Sequence, residues 1–531
     1  MSRSVNRFVP TYHVENFGCR ATQADGAALE RQFESRGLTR TSAAQANLVI
    51  LNTCTVTNSA DQDARAAIRR VQRQNPLAKI IVTGCYAQRA PEEVAALPGV
   101  STVIGNSHKH KLAEIAVPLL SGLGWRSLDF GWRSASSAGI EASDQVVASA
   151  AEGSAFIPVS SLITESGSPL RRRSGQAPPE TRLFVSDIFA HTEILGAPVF
   201  ESAIGGSHAD RTRPNLKVQD GCDNRCSFCV IPSVRGRSRS LPLLEVIREV
   251  NSLVAAGYRE VVISGINLGR WGRDLAVSDR LSAVGKTDDW DGRRPQADDR
   301  RLESLIRAIL SQTQIEKLRI SSVEPMDWTD DLIGLVASSL RIAKHAHVPL
   351  QSGSDAVLRR MHRKYRPWHY REKIEKIRTA MPTAAIGADV MAGFPGETDA
   401  EFEATRHLIE ELPFTYLHVF TYSARPGTPA AAMPDQVPPQ VARERNKILR
   451  DLAAEKKLVF MRSFVGKPLE AITLSVVHET PNGEFIEALT DNYQKLHLKG
   501  RHAPNRWLTA RIEQVEDGAL LGSLESTTTR L

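Results

Sequence analysis

The sequence predicts an α/β protein in three parts: a small doubly wound parallel-sheet domain, a partial (βα)6 barrel, and a small antiparallel β-barrel at the end. Three observations carry that reading. Strand-like and helix-like segments alternate over 11–110, alternate again six times over 215–421, and give way after about 455 to short strands separated by turn residues. The expected boundaries are 8–118 for the first domain, 119–210 for an insertion or linker, 211–452 for the barrel with an insert near 275–300, and 453–522 for the terminal barrel.

In the first part, "YHVENFGC", "ANLVILNTC" and "KIIVTGC" read as strands, and "ATQADGAALERQFESRG", "SADQDARAAIRRVQRQN" and "PEEVAALPG" as helices. Residues 119–210 change character. "SASSAGIEASDQVVASAAEGSA" and "RRRSGQAPPE" are rich in Ser, Ala, Gly and Pro, far longer than the usual connection of about 4–6 residues. The place of the apolar piece "TRLFVSDIF" is left open.

In the second part the strands are "NLKVQ", "EVVIS", "KLRISS", "HAHVPLQ", "AAIGADVM" and "YLHVFTY". Polar and glycine-rich signals follow them: "DGCDNRCSFC", "GINLGRWG", "VEPMDW", "QSGSD", "GFPGET" and "SARPGT". Barrels of this kind place their active sites on the loops at the carboxyl face. The terminal segments "LEAITLSVVHE", "GEFIEALT", "YQKLHLKG" and "RWLTARIEQVE" suit an oligonucleotide-binding type of barrel.

At 531 residues, with 41% apolar and 24% charged residues, the composition is that of a globular protein of several domains. No apolar run approaches the ~18 residues of a membrane span, and the start "MSRSVNRFVPTYHVENFGC" lacks the apolar stretch of a secretory signal. The expected compartment is the cytoplasm, with no membrane partner. A net charge of +7 gives mild support to an anionic partner such as nucleic acid.

Six cysteines fall into two sets of three. In "QDGCDNRCSFCVIP", Cys222, Cys226 and Cys229 have C-x3-C-x2-C spacing and no fourth cysteine nearby. A soft thiolate set suits zinc or iron–sulfur. Structural zinc wants four closed ligands. A [4Fe–4S] cubane held by three cysteines keeps one iron open to an outside ligand. Cys19, Cys54 and Cys85 each fall within a residue or two of an expected strand's carboxyl end, where open parallel sheets bind ligands. A small core hydrophobe is the other reading of each.

The 222–229 motif, with an aromatic before its last cysteine, resembles the signature of radical S-adenosylmethionine enzymes. With "NFGC…NTCTVT…TGC" before it and a TRAM-type barrel after it, the chain resembles the radical S-adenosylmethionine methylthiotransferase family over nearly its whole length, the inserts at about 119–205 and 275–300 excepted. "NTCTVTNSAD", "GINLGRWG", "SSVEP" and "PLQSGSDAVLRRMHRKY" are most similar to the branch that modifies N6-threonylcarbamoyladenosine at position 37 of tRNA. Rival substrates are isopentenyladenosine in tRNA and a ribosomal-protein aspartate. A rival of another class is a non-catalytic, zinc-containing RNA-binding protein.

The resemblance implies two [4Fe–4S] clusters and S-adenosylmethionine. Cys222, Cys226 and Cys229 would hold the cluster whose open iron chelates S-adenosylmethionine, giving the 5′-deoxyadenosyl radical that activates C2–H of the adenine. Cys19, Cys54 and Cys85 would hold an auxiliary cluster that delivers the methylated sulfur. An electron donor and a sulfur donor are also required. No catalytic residue beyond the cluster ligands is expected.

Candidate cofactor contacts are Phe228 beside the last cysteine, Ser264 and Gly265 after the second barrel strand, Glu324 after the third for a ribose hydroxyl, and Asp389 near the fifth. Turn-forming and capping roles fit the last four equally well. For the tRNA anticodon stem-loop, "RRMHRKYRPWHYREK" interleaves basic residues, among them Arg360, Arg363 and Lys364, with Tyr365, Trp368 and Tyr370, a composition suited to phosphates and unpaired bases. A solvated helix face is the alternative. The end segment balances ten basic against ten acidic residues, but "YQKLHLKGRHAPNRW", with Lys499 and Arg501, carries no acid.

Overall fold

The computed structural model describes residues 9–123, 181–191, 194–195, 212–275, 301–480 and 483–525. Most of the expected inserts at 119–210 and 275–300 therefore lies outside the described residues. Two compact units separate. One comprises Met1–Gly18, Leu29–Thr55 and Ser59–Asp187, the other Cys19–Ala28, Val56–Asn58 and Ile188–Leu531.

The first unit holds β1 (Thr11–Asn16), β2 (Thr39–Arg40), β3 (Leu48–Thr53), β4 (Lys79–Gly84), β5 (Val100–Gly105) and β6 (Arg182–Phe184). They form one sheet in the order β2-β1-β3-β4-β5-β6, every pair parallel. Every residue of β3 is buried, as a strand covered on both faces requires. Ala64, Ala67, Ile68 and Val71, at helical spacing, contribute to its cover. The piece "TRLFVSDIF", left without a place by the sequence, supplies β6. Thr102, Val103 and Ile104 pair with Arg182, Leu183 and Phe184, and Ser186 N donates to Ser107 Oγ at 3.0 Å. The sheet thus gains its last strand from far beyond residue 118.

In the second unit all six expected barrel strands form: β7 (Asn215–Asp220), β9 (Glu260–Gly265), β10 (Lys317–Ile320), β11 (His345–His347), β12 (Ala385–Ala392) and β13 (Tyr416–Thr421). A short β8 (Arg239–Ser240) adds an antiparallel edge to β7. The ladder runs β8-β7-β9-β10, then β11-β12-β13. A parallel bridge at Leu318–Ile342 and a bond from Val323 N to His347 O at 3.1 Å link the two halves.

Strand alternation sorts the side chains. Leu216, Val218, Val261, Ile263, Leu318, Ile320, Ala346, Ile386, Ala388 and Val390 join one apolar core, with Leu417 and Val419 packed against it. The alternate positions line the interior and are mostly polar: Lys217, Gln219, Glu260, Ser264, Lys317, Arg319, His345, His347, Asp389, Tyr416 and His418. At the foot, Arg319 Nε donates to Glu260 Oε1 at 2.6 Å, both side chains fully buried.

The terminal barrel closes as β14-β15-β16-β18-β17, from β14 (Pro468–Thr480), β15 (Gly483–Thr490), β16 (Lys495–Lys499), β17 (Trp507–Glu516) and β18 (Ala519–Leu524). The expected small antiparallel barrel is present, with four antiparallel pairs and one parallel pair, β16 with β18. Five strands in a closed ring cannot alternate direction throughout, so one pair must run parallel. The turn between β15 and β16 seals the foot of the larger barrel. Arg319 Nη1 donates to Asp491 O at 3.1 Å, Lys317 Nζ meets Asp491 Oδ1 at 3.1 Å, and the Tyr493 ring lies 4.5 Å from that of His345. Among the described residues no helix is long and apolar enough to cross a membrane.

Glu260→Leu should strand the Arg319 charge and cost about 3–5 kcal/mol in urea unfolding, whereas adding Arg319→Met should recover much of that loss. A double variant no more stable than the single one would refute this account of the foot.

Candidate active site

The site is built where β7 ends. Gly221 follows with φ +70°, and a Cβ there would lie 1.9 Å from the Arg237 carbonyl oxygen, so glycine alone fits. Cys222 N then donates to Gly236 O at 3.1 Å, and Cys229 N to Cys226 O at 3.1 Å. Ser227 anchors the middle: its N donates to Met361 O at 3.1 Å, its Oγ to Arg360 O at 2.7 Å, and its O accepts from Ala430 N at 2.9 Å. The backbone is fixed on several sides, and the three cysteines it carries are half-buried.

Arg363 Nη1 donates to Cys226 Sγ at 3.4 Å and Nη2 to Glu324, while Nε donates to Tyr365 Oη at 3.2 Å. A permanent positive charge therefore stands beside the sulfur. Cys222 accepts from Asn224 N at 3.4 Å and from Asn267 Nδ2 at 3.7 Å. Burial pushes the Cys222 thiol up and the Cys229 thiol up to about 12, so both are protonated when they hold nothing.

The candidate cofactor residues surround this loop unequally. Phe228 packs edge-on against Phe394 with centroids 6.4 Å apart. Ser264 is buried at the end of β9, and its Oγ has no hydrogen-bond partner among the described residues. A Cβ on Gly265 would lie 2.8 Å from Gln219 Oε1, so the backbone passes close by. Glu324 is committed to Arg363, and burial raises its pKa against the pull of that guanidinium. Asp389 lies inside the barrel on β12, 3.5 Å from His347 Nε2. An unsatisfied buried hydroxyl, an unsatisfied Asn267 Oδ1 and three thiols make a donor set that fits an iron–sulfur cluster with a polar ligand on it. Sequence reasoning missed Asn267, although it lies inside the quoted "GINLGRWG", and missed that Arg363 serves this loop.

In the first unit, Cys54 and Cys85 directly follow β3 and β4, whose last residues Thr53 and Gly84 are register partners. Both are buried. Gly18 makes room for Cys54, since a Cβ there would lie 2.5 Å from Cys54 Cβ. Asn106 Nδ2 contacts Cys85 Sγ at 3.6 Å. Cys19 comes three residues after β1, is exposed, belongs by its contacts to the second unit, and lies 3.6 Å from Thr22 Oγ1.

Residues 11–105 match the uncharacterized protein family UPF0004, and residues 216–409 match the radical SAM superfamily. Over 491 residues the chain is 34% identical to the threonylcarbamoyladenosine tRNA methylthiotransferase MtaB of Bacillus subtilis, covering 92% of this chain and 90% of that one. The chain belongs to the radical SAM methylthiotransferase family. Another relative in this family, the protein of the same name from Chlamydia pneumoniae, is 31% identical over 97% of this chain and 98% of its own. The tRNA-2-methylthio-N(6)-dimethylallyladenosine synthase of Novosphingobium aromaticivorans is 30% identical over 87% and 86%.

A methylthiotransferase of tRNA needs an RNA surface, and the structure revises the one expected over 359–373. Arg363 is buried on the cysteine loop, and Tyr365 and Tyr370 are fully buried in the core, so none of the three faces outward. Tyr365 Oη instead donates to Leu350 O at 2.7 Å. Arg360 is held two-pronged by Glu401, at 3.0 and 2.8 Å. Lys364 and Trp368 remain exposed. On the terminal barrel Lys499 pairs with Glu513, and the well-exposed Arg501 with Glu484 at 2.8 Å. Such exposed pairs are worth little and open readily to phosphate. Nearby, His478 Nε2 lies 2.7 Å from Glu487 Oε1, which also takes Lys495 Nζ at 2.6 Å.

Gly221→Ala should lower stability in urea unfolding far more than Gly427→Ala. Both residues have positive φ, but an added Cβ at Gly427 meets nothing within 4 Å and carries only the left-handed cost of about 1–2 kcal/mol. Equal losses would show that the Arg237 carbonyl simply yields.

Proposed function

We propose that the chain attaches a methylthio group to C2 of N6-threonylcarbamoyladenosine beside the tRNA anticodon. The observation that carries this is the near full-length likeness to threonylcarbamoyladenosine tRNA methylthiotransferases in a chain whose three-thiol loop closes the first strand of a polar-lined barrel. The cofactors are S-adenosylmethionine and two [4Fe–4S] clusters. Cys222, Cys226 and Cys229 would hold one, and Cys19, Cys54 and Cys85 the other. Bound there, these groups would supply the radical chemistry that activates C2–H and the sulfur that takes the place of the hydrogen.

The chain's own residues position and shield. Arg363 offsets negative charge gathered at Cys226 and is itself held by Glu324 and Tyr365. Ser264 Oγ is free to donate to a carboxylate, and Gly265 lets a polar ligand approach the backbone. Glu324 keeps one carboxylate oxygen for a ribose hydroxyl while the other holds Arg363. Phe228, Phe394, Met391 and Tyr422 pack into one apolar cluster near the loop, which keeps water from that side.

Lys364, Trp368, Lys499 and Arg501 are the outward groups suited to phosphates and unpaired bases. A tRNA substrate favours the cytoplasm as the compartment, and the chemistry calls for an electron donor and a sulfur donor there.

Nucleosides from the tRNA of a deletion strain should lack the methylthio form of threonylcarbamoyladenosine and regain it with the wild-type gene but not with Cys226→Ala. Unchanged nucleosides would sink this substrate. Iron in the anaerobically reconstituted protein should fall from about eight to about four per chain in Cys54→Ala, with S-adenosylmethionine cleavage retained. About four in both proteins would make the first-unit cysteines structural.

A further inference from the structure

Most of the polar lining of the large barrel is already used. Glu260 and Arg319 satisfy each other at the foot, Lys217 is met by Asp25 and Asp220, and His345 Nε2 shares a hydrogen bond with Tyr416 Oη at 2.6 Å. The Tyr416 ring lies flat across Gly387, where a Cβ would fall 2.0 Å from Cζ. Above this plug lie three further interior side chains, Asp389 on β12 and His418 and Phe420 on β13, and neither polar one makes a side-chain hydrogen bond to a described residue.

Asp389 and His418 are register partners. They share the interior face, because their neighbours Ala388, Val390, Leu417 and Val419 pack on the opposite side into the apolar core. Neither ring nitrogen of His418 is hydrogen-bonded to a described residue. Its ring stands edge-on to that of His347, with centroids 5.5 Å apart. Among the described residues the Asp389 carboxylate has only His347 Nε2 at 3.5 Å, too long for a good hydrogen bond, and His347 turns its Nδ1 to Ser322 Oγ at 2.9 Å. Phe420 is 46% exposed although its strand belongs to a barrel interior. β13 is the outermost strand of its sheet.

We infer that Asp389, His418 and Phe420 form the binding wall for the modified adenosine, and that its polarity selects a threonylcarbamoyl group over an isopentenyl group at N6. The inference rests on the substrate reading above and deepens it. Phe420 offers a flat apolar surface to the purine. The threonylcarbamoyl group brings ureido N–H donors, a hydroxyl, a carbonyl and a carboxylate. Asp389 accepts from the N–H or hydroxyl, and the His418 N–H donates to the carbonyl or carboxylate oxygen. Burial, with His347 and Arg20, lowers the His418 pKa against the pull of Asp389, so the ring is neutral near pH 7 and keeps one donor and one acceptor.

An isopentenyl group in the same place has only C–H. It would strip water from His418 and Asp389 and give neither a partner. Sites built to hydrogen-bond their substrate reject an analogue lacking the polar group by factors of about 10⁴ or more.

The test uses the reconstituted holoenzyme and two anticodon stem-loops that differ only in the N6 group. The quantity read is the ratio of the two kcat/KM values, which is insensitive to partial loss of folded enzyme. His418→Leu should lower the threonylcarbamoyl preference by about 100-fold, and His418→Gln, which keeps an N–H donor, should hold it within about tenfold. If His418→Leu lowers both substrates equally and leaves the ratio unchanged, His418 is structural and the inference falls. If the wild type accepts the isopentenyl loop and ignores the threonylcarbamoyl one, the substrate reading itself is overturned, and the inference with it.

Discussion

The ion pair between Glu260 and Arg319 sits at the foot of two neighbouring parallel strands, with both side chains removed from water. Such a pair is costly to bury, and attraction between the charges repays the loss of hydration only when every remaining donor finds a partner. Here Arg319 finds the Thr490 and Asp491 carbonyls of the terminal barrel. The requirement to satisfy one buried guanidinium therefore fastens the small barrel beneath the large one. Lys317, two residues earlier on the same strand, repeats the device by meeting Glu470 and Asp491. Backbone carbonyls and Tyr493 thus close the foot of the barrel, away from the ends where the strands finish.

At those ends the protein invests in backbone order rather than in charge. The cysteine loop is tied through Ser227 to two other loops, and Gly221 admits a carbonyl where any other residue would collide. Two of the thiols are pushed by burial toward their protonated forms, so taking up a metal group requires their protons to leave. A loop already in place offsets part of that cost, because little chain entropy remains to be lost when ligand bonds form. Arg363 assists as a fixed counter-charge, and Tyr365 and Glu324 keep it from turning away.

Much of this was legible in the sequence, and the rest was not, for identifiable reasons. The six barrel strands and the cysteine loop were readable because their signals are local: period-two alternation and C-x3-C-x2-C spacing. Strand β6 was not, because its three residues mean nothing until β5 offers an edge, and β5 itself lay among weak signals. Arg363 was misread because composition cannot tell which of several neighbouring arginines turns inward. The segment from Arg359 to Lys373 looks uniformly basic, yet Met361, Arg363, Tyr365 and Tyr370 are buried while Arg359, Lys364 and Trp368 are exposed. The choice is made by the Cys226 sulfur and the Leu350 carbonyl, both remote in sequence.

The two halves of the barrel carry different burdens. Cys222, Ser264, Asn267 and Glu324, the residues proposed for the cofactors, come from or just after β7, β9 and β10. Asp389, His418 and Phe420, the residues proposed for the substrate, come from β12 and β13. The outer faces of these last strands are fixed by packing through Val390, Leu417 and Val419. Their inner faces are not, since an exposed position tolerates exchange at small cost in stability. A frame of this kind can change the nucleoside it accepts by replacing a few inward side chains on β13 while the cysteine loop stays untouched. Relatives named for two different N6 groups can then share the whole architecture at similar identity to this chain, and under the inference drawn above the residue at position 418 should differ between enzymes of the two specificities.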